Sequence, residues 1–229
     1  MTTDQLILSI ETATLAGSLS ISRGAEVLAS SEGDPTVSHS NTLLADVDQL
    51  LHAANLKIDE VDVFAVASGP GSFTGLRIGI ATTKALATTL NRPAIGIPTL
   101  EAVAYAAGSH SRIVALLPAG RGEVFCQMFS TSDGSVIDLD EPAHLSPSRM
   151  IDRYIQFDDV AWAGEGAKLY SQLINESVSS KVVHIIEPPL NLARHVASLA
   201  RKKLVTEASY STNDLHAIYV RPSDAELKF

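Results

Sequence analysis

The chain has 229 residues and a formal net charge of -9, from 26 acidic residues against 17 lysines and arginines. Hydrophobic residues make up 45% and charged residues 19%, which excludes a largely disordered chain and predicts two modest globular domains. No stretch concentrates lysine or arginine, so composition disfavours direct binding to a nucleic-acid backbone. The single cysteine, Cys126, excludes an internal disulfide. The amino terminus lacks a basic leader, and we expect a cytoplasmic protein without a membrane span.

The first half opens with a predicted meander of three strands. Leu6–Ile10 is a short apolar run, and Leu19 and Ile21 alternate with serines, as in a half-buried strand. We expect these two strands to pair antiparallel across a turn at Thr12–Ala16. Val27–Ser30 supplies the third strand.

A helix is predicted next, over His39–Asn55, with Ser38 or Ser40 as its cap. Its apolar residues recur at intervals of three, four and seven: Leu43, Leu44, Val47, Leu50, Leu51 and Ala54. The rest of this half is predicted as a buried strand at Val63–Ala67, a glycine loop, a helix over about 76–90, a strand at Ala94–Ile97 and a helix capped by Thr99.

The second half repeats this order. A hairpin is predicted at Arg112–Leu117 and Val124–Phe129, followed by a helix capped by Ser146 with Pro147 at its first position. Strands at Val160–Ala163 and Lys181–Ile186 and a helix from Asn191 to about Glu207 complete it. The pattern predicts an α/β fold of two actin-like ATPase domains (Hsp70 and sugar-kinase type) with mixed sheets flanked by helices. We place the domains at 1–109 and 110–229, with the final segment YVRPSDAELKF as a candidate to cross back to the first.

The glycine loop GPGSFTG, residues 69–75, has two interpretations. Its spacing is one residue too long for a dinucleotide fingerprint and lacks the Gly-Lys-Ser/Thr end of a P-loop. Gly69, Gly71 and Gly75 either permit a tight strand-to-helix turn or bring backbone N–H groups to an anion. Arg77 correspondingly either binds an anion or pairs with a carboxylate.

The segment IETAT, from Ile10 to Thr14, places a carboxylate and two hydroxyls at the first turn, where actin-like ATPases handle phosphate and magnesium. The same residues also form ordinary turns. Candidate residual nucleotide or anion contacts are therefore Glu11, Thr12, Gly69, Gly71, Ser72 and Arg77. The seven histidines form no ligand set, so we predict no metal site, and the absence of a nucleophile elbow disfavours serine hydrolase chemistry.

Several longer segments resemble one family, TsaB, also called YeaZ, from residue 6 to the end. They are SIETAT, SHSNTLLADVDQLL, VASGPGSFTGLRIGIATTKALA, GIPTLEAVA, RGEVF, AGEGA and YVRPSDAE. The resemblance implies a non-catalytic scaffold in the formation of N6-threonylcarbamoyladenosine at adenosine 37 of tRNAs. Its partner would be the transferase TsaD, with the ATPase TsaE joining the complex. It also implies a homodimer in the absence of TsaD, indirect contact with tRNA, and ATP only at the level of the complex.

The resemblance places the partner interface on the two helices of the first half. The implied residues are His39, Leu43, Leu44, Val47, Leu50, Phe73, Thr74, Arg77, Ile78 and Ala81. A charge at Val47 or Ile78 is expected to break TsaD binding and leave the monomer folded. Packing against the chain's own core is the alternative for about half of the leucines.

One turn departs from the family pattern. Relatives often have Asp-Ala-Arg-Arg-Gly-Glu-Val-Tyr where this chain has Pro118 to Phe125, PAGRGEVF. The loss of the aspartate and one arginine disfavours a nucleotide or tRNA contact there. The alternative functions are an ATP-dependent small-molecule kinase or ATPase that uses Glu11 and the glycine loops, and a peptidase, which lacks an assembled nucleophile and base.

Overall fold

The computed structural model describes residues 4–34, 36, 39–178, 183–189, 191–206, 210 and 212–220, the side chains of 39–41 excepted. The chain divides into two compact units. The first consists of Met1–Thr99 and Leu190–Ile218, and the second of Leu100–Pro189 and Tyr219–Phe229. Each unit holds one mixed sheet flanked by helices, as predicted.

The first unit is built on five strands. They are β1 (Leu6–Glu11), β2 (Ser18–Arg23), β3 (Glu26–Glu32), β4 (Val63–Gly69) and β5 (Ala94–Pro98), in the order β3-β2-β1-β4-β5. The antiparallel pairing of β1 with β2 confirms the predicted hairpin and sets Glu11 opposite Ser18. β4 and β5 run parallel to β1, so the carboxyl ends of these three strands meet at one edge of the sheet.

Helices α1 (His39–Ala53) and α2 (Phe73–Leu90) cover one face of this sheet. Alternate strand residues, among them Leu8 and Ile10, form a core with the apolar stripe of α1 and with Ile80 of α2. The chain leaves the sheet through α3 (Thr99–Ala106), whose first hydroxyl accepts a hydrogen bond from the backbone N–H of Gly69 at 3.1 Å.

The second unit is built on six strands. They are β6 (His110–Gly120), β7 (Glu123–Ser132), β8 (Ser135–Asp138), β9 (Ala143–Leu145), β10 (Ala161–Ala163) and β11 (His184–Ile186). Their order is β11-β10-β6-β7-β8, and β9 pairs with β7. The same unit also contains the helices α4 (Pro147–Tyr154), α5 (Glu165–Leu169) and α6 (Ser171–Ser177). Ser146 caps α4 as predicted, and Tyr154 packs edge-on against Trp162 in the core.

The last long helix corrects the predicted domain division. Helix α7 (Ala193–Thr206) packs against β1, β2, β4 and β5 of the first unit, although it was assigned to the second domain. It covers the face opposite α1 and α2, where the Ser9 hydroxyl donates to the Ala193 carbonyl at 2.8 Å. The segment that returns is therefore 190–218, and the first boundary falls after Thr99 rather than at 109. Most of the predicted crossing segment, 221–229, lies outside the described residues.

Asn191 joins this returning segment to the sheet through hydrogen bonds. Its side-chain amide donates to the carbonyls of Leu19 at 3.2 Å and Ser31 at 2.8 Å. Its carbonyl oxygen accepts from the backbone N–H of Arg194 at 3.1 Å, which satisfies a free donor of the first helical turn. One buried side chain therefore joins α7 to two strands.

Asn191→Ala is expected to lower the free energy of unfolding by about 1–3 kcal/mol, because it removes a helix cap and leaves two carbonyls without their donor. Urea denaturation followed by circular dichroism measures this change. Asn175→Ala is the matched control: its amide donates to Ser171 on the exposed surface of α6, and its loss should cost less than about 0.5 kcal/mol. Equal losses in the two variants would contradict the assignment.

Candidate functional site

The turn after β1 lies directly against the glycine loop after β4. The backbone N–H of Ser72 donates to the Ala13 carbonyl at 2.8 Å. The Thr12 hydroxyl donates to the Gly75 carbonyl at 2.7 Å, and Thr12 is only 1% exposed. Ser72 also caps α2, since its hydroxyl accepts from the backbone N–H of Gly75 at 3.3 Å. These bonds fix where α2 begins.

The glycines of the loop allow this close approach. A Cβ on Gly71 would lie 2.5 Å from the Ala13 carbonyl oxygen. A Cβ on Gly75 would overlap the Thr12 carbonyl oxygen, and one on Gly79 would overlap the Thr12 hydroxyl. Gly69 has a φ of +115°, a conformation that other residues rarely adopt. The loop and the first turns of α2 thus pack directly against the backbone of Thr12 and Ala13. Anion binding by these glycines stays a prediction.

Glu11 lies at the end of β1 and is almost fully buried, with 1% of its surface exposed. Its carboxylate accepts from the Thr14 backbone N–H at 2.7 Å, the Thr14 hydroxyl at 2.9 Å and the Ser18 hydroxyl at 3.2 Å. Burial raises the pKa of this carboxyl, and the hydrogen bonds from Thr14 and Ser18 oppose the rise. The carboxylate is therefore held by its own turn.

Arg77 lies on the outer side of α2. Its guanidinium carbon sits 3.9 Å from the centre of the Phe73 ring, one helical turn earlier. This is the geometry of a cation–π contact, which holds the guanidinium against the helix surface. The contact is a third arrangement beside the two predicted for Arg77.

Both α1 and α2 expose residues on the sides that do not pack against the sheet. Leu44 of α1 is 63% exposed. The outer residues of α2 recur every three or four positions and carry mostly small side chains. We call these five exposed residues the helix-pair surface: Leu44, Thr74, Arg77, Ala81 and Ala85.

Three predicted interface residues lie in the core instead. Leu43, Val47 and Leu50 are 6%, 4% and 4% exposed and pack against the sheet. The apolar stripe of α1 is needed to cover its own strands, so these side chains cannot contact a partner. A charge at Val47 is therefore expected to unfold the first unit, which corrects the prediction that it would only break binding. Phe73 and Ile78 are partly buried, and the side chain of His39 lies outside the described part.

The turn that departs from the family pattern is a tight hairpin. Arg121 and Gly122 connect β6 and β7, and both have positive φ, as a type I′ turn requires. Pro118 is exposed, and the Glu123 carboxylate lies 2.9 Å from His144 Nε2.

Across the described ranges, no three His, Cys, Asp or Glu side chains come close enough together to hold a metal ion. No described helix is long and apolar enough to cross a membrane.

The family model for TsaD, tRNA N6-adenosine threonylcarbamoyltransferase, matches residues 35–225. The TsaB of Escherichia coli K12, a tRNA threonylcarbamoyladenosine biosynthesis protein, is 29% identical over 176 residues, covering 75% of this chain and 76% of the relative. The structure of YeaZ from Pseudomonas aeruginosa superposes with a TM-score of 0.79 at 26% identity, covering 94% of this chain and 99% of that one. The chain belongs to the TsaB (YeaZ) family.

The fold of this TsaB chain is also found in more distant proteins. Component A of the (R)-2-hydroxyglutaryl-CoA dehydratase of Acidaminococcus fermentans superposes with a TM-score of 0.56 at 13% identity. At that identity the likeness shows the fold alone. The predicted class, an actin-like α/β fold with two mixed sheets, is confirmed.

Sequence reasoning missed the partners of Glu11 in this TsaB chain. It placed Glu11 and Thr14 in one turn, but it assigned no role to Ser18 or to the start of α7. The register could have identified Ser18, because a hairpin with a turn of this length sets that residue opposite Glu11. Local pattern gives no comparable signal for Ala193, whose N–H reaches Ser18 from 175 residues away.

Gly75→Ala tests the close approach. In an ordinary helix this change stabilises by up to about 1 kcal/mol, but here the new methyl group would overlap the Thr12 carbonyl, so we expect a loss of about 1–3 kcal/mol. Denaturant unfolding of the purified variant measures the sign. Ala85→Gly, on the exposed face of the same helix, should cost about 1 kcal/mol by propensity alone. Stabilisation by Gly75→Ala would contradict the packing.

The raised pKa of Glu11 predicts a pH dependence of stability. A carboxyl whose folded pKa lies above its ordinary value of 4.5 stabilises most below 4.5, and this contribution is lost as pH rises through the folded pKa. The stability of the wild type relative to Glu11→Gln should therefore fall as pH increases from 4.5 upward. Urea titrations of both proteins between pH 4 and 8 measure the difference. A difference that grows with pH would contradict it.

Proposed function

We propose that this chain acts in the formation of threonylcarbamoyladenosine in tRNA as a non-catalytic partner that binds and activates TsaD. Membership of the TsaB family supports involvement in this biosynthesis. The observation that carries the partner role is the helix-pair surface. It is exposed and rich in small side chains, whereas the polar groups of the neighbouring loops are bonded within the chain.

Small side chains favour a helix as the binding partner. Thr74, Ala81 and Ala85 line one side of α2 and let another helix backbone approach closely. Leu44 adds an apolar side chain that loses its contact with water on binding. We infer that a helix of TsaD lies along this surface.

The charges of the two helices support a second occupant of the same surface. Asp48 on α1 is exposed and acidic, while Arg77 on α2 is exposed and basic. Two copies related by a twofold axis could place α1 of one against α2 of the other with opposite charges facing. We propose this homodimer for the chain without TsaD, and TsaD displaces it.

The other components are assigned by the same proposal. TsaE joins through the complex, ATP acts at the level of the complex rather than bound tightly to this chain, and tRNA contacts TsaD. The net charge of -9 supports the last assignment, since the chain offers few cations to phosphate. We place the complex in the cytoplasm.

A small-molecule kinase or ATPase remains the alternative. It would use Glu11 at the magnesium and phosphate position. The burial of Glu11 and its three hydrogen bonds weigh against that use, because an ion or substrate would have to displace them.

Leu44→Asp is expected to weaken TsaD binding at least about tenfold, because a carboxylate would be buried without a partner in the complex. Isothermal titration calorimetry with the TsaD of the same organism measures the affinity. Leu169→Asp is the matched control, since Leu169 is 61% exposed on α5 of the second unit, and its affinity should stay within about twofold. Circular dichroism checks that both variants fold. Unchanged binding by Leu44→Asp, or equal losses in both, would contradict the proposed surface.

A further inference from the structure

A groove lies in the first unit between α1 on one side and the strands β2 and β3 on the other. The turn after β1 also lines it, and its volume is about 380 Å³. Sites for small organic molecules have volumes of roughly 300–1,000 Å³. The groove is therefore large enough to hold a small ligand.

Short and apolar side chains make up much of the lining of this groove. Ala16 of the turn, Leu19 of β2, Ala29 of β3 and Ala53 of α1 all contribute to it. Contact with these side chains would remove apolar surface of both the ligand and the protein from water. The lining thus favours a ligand with an apolar body.

The charged residues of the lining are all acidic. Asp46 lies on the groove side of α1 with Gln49 and Ala53, which follow it at intervals of three and seven residues. The Asp46 side chain is partly buried and makes no ion pair or hydrogen bond to another residue that the structure describes. Glu32, at the end of β3, likewise has no such partner, whereas the Glu11 carboxylate is held by its own turn.

This charge distribution selects the kind of ligand. No described residue of the lining is a lysine or an arginine, so the negative charge of Asp46 is not compensated within the groove. A partly buried carboxylate gains from an opposite charge placed beside it, and it repels an anion such as phosphate. A cation with an aliphatic body satisfies both the carboxylate and the apolar lining, as long basic side chains do at protein surfaces.

We propose that this groove binds a small linear aliphatic amine. Its ammonium group pairs with Asp46, and its carbon chain lies along Leu19 and Ala29. A second amino group at the far end of the chain lies toward Glu32 on the opposite wall, so a diamine matches the groove best. The site is separate from the helix-pair surface, because Leu44 and Asp46 are two residues apart and point to different sides of α1.

Titration of the full chain with 1,4-diaminobutane, followed in nitrogen-15 correlation spectra, tests the proposal. We expect saturable shifts of the backbone amide signals of Gly17, Gly33 and Asp46, which line the groove, with a Kd on the order of 1 mM for so small a molecule. The matched probe is 1,4-butanediol, which has the same length and no charge. It should bind at least about fivefold more weakly.

Asp46→Asn removes the counter-charge and keeps the size of the side chain, so we expect at least about fivefold weaker binding of the diamine. The control Asp152→Asn changes the net charge equally by removing an exposed carboxylate from α4 of the second unit, and its affinity should stay within about twofold of the wild type. No saturable shifts in the wild type, equal binding of the diol, or equal losses in the two variants would overturn the proposal. The comparison of diamine with diol needs only the wild type, so it decides the question even if Asp46→Asn does not fold. All measurements use the chain alone, and their outcome is independent of whether TsaD binds.

Discussion

The contact between the β1–β2 turn and the start of α2 is the constraint on which the first unit depends. Thr12 and Ala13 approach the glycine loop so closely that side chains at Gly71 and Gly75 would overlap their carbonyls. Three hydrogen bonds, from Thr12, Ser72 and the N–H of Gly75, then fix the first turn of the helix. The direction of α2 across the sheet, and with it the residues that it exposes, follows from this contact.

Because α2 is fixed in this way, the polar loop groups at the sheet edge and the outer side of α2 have different roles. The polar groups at the carboxyl ends of β1 and β4 bond to each other, to α3 and, through Ser18, to the start of α7. The outer side of α2 keeps small, exposed side chains at helical spacing. An actin-like fold that turns its loop donors inward and its helices outward is suited to bind another protein, which is the role that we propose.

The sequence predicted the parts of this arrangement that depend on neighbouring residues. The alternation around Leu19 and Ile21 predicted a strand, and the apolar spacing of α1 predicted a helix. The same spacing could not separate Leu43 from Leu44, because adjacent residues at the edge of an apolar stripe differ in burial only through what packs beside them. Bonds that join distant segments were missed: Asn191 was predicted only as the start of a helix, and no local pattern indicates that it also bonds to carbonyls more than 150 residues earlier. Strands β8 and β9 were also missed because runs of four and three residues are too short to show a period.

Light scattering of the chain mixed with the TsaD of the same organism tests the central claim most directly. We expect the equimolar mixture to contain one heterocomplex with one copy of each protein, in place of the self-associated form of the chain alone. Two separate species in the mixture, together with ATP hydrolysis by the isolated chain, would contradict it. That result would instead favour phosphate chemistry at the turn around Glu11.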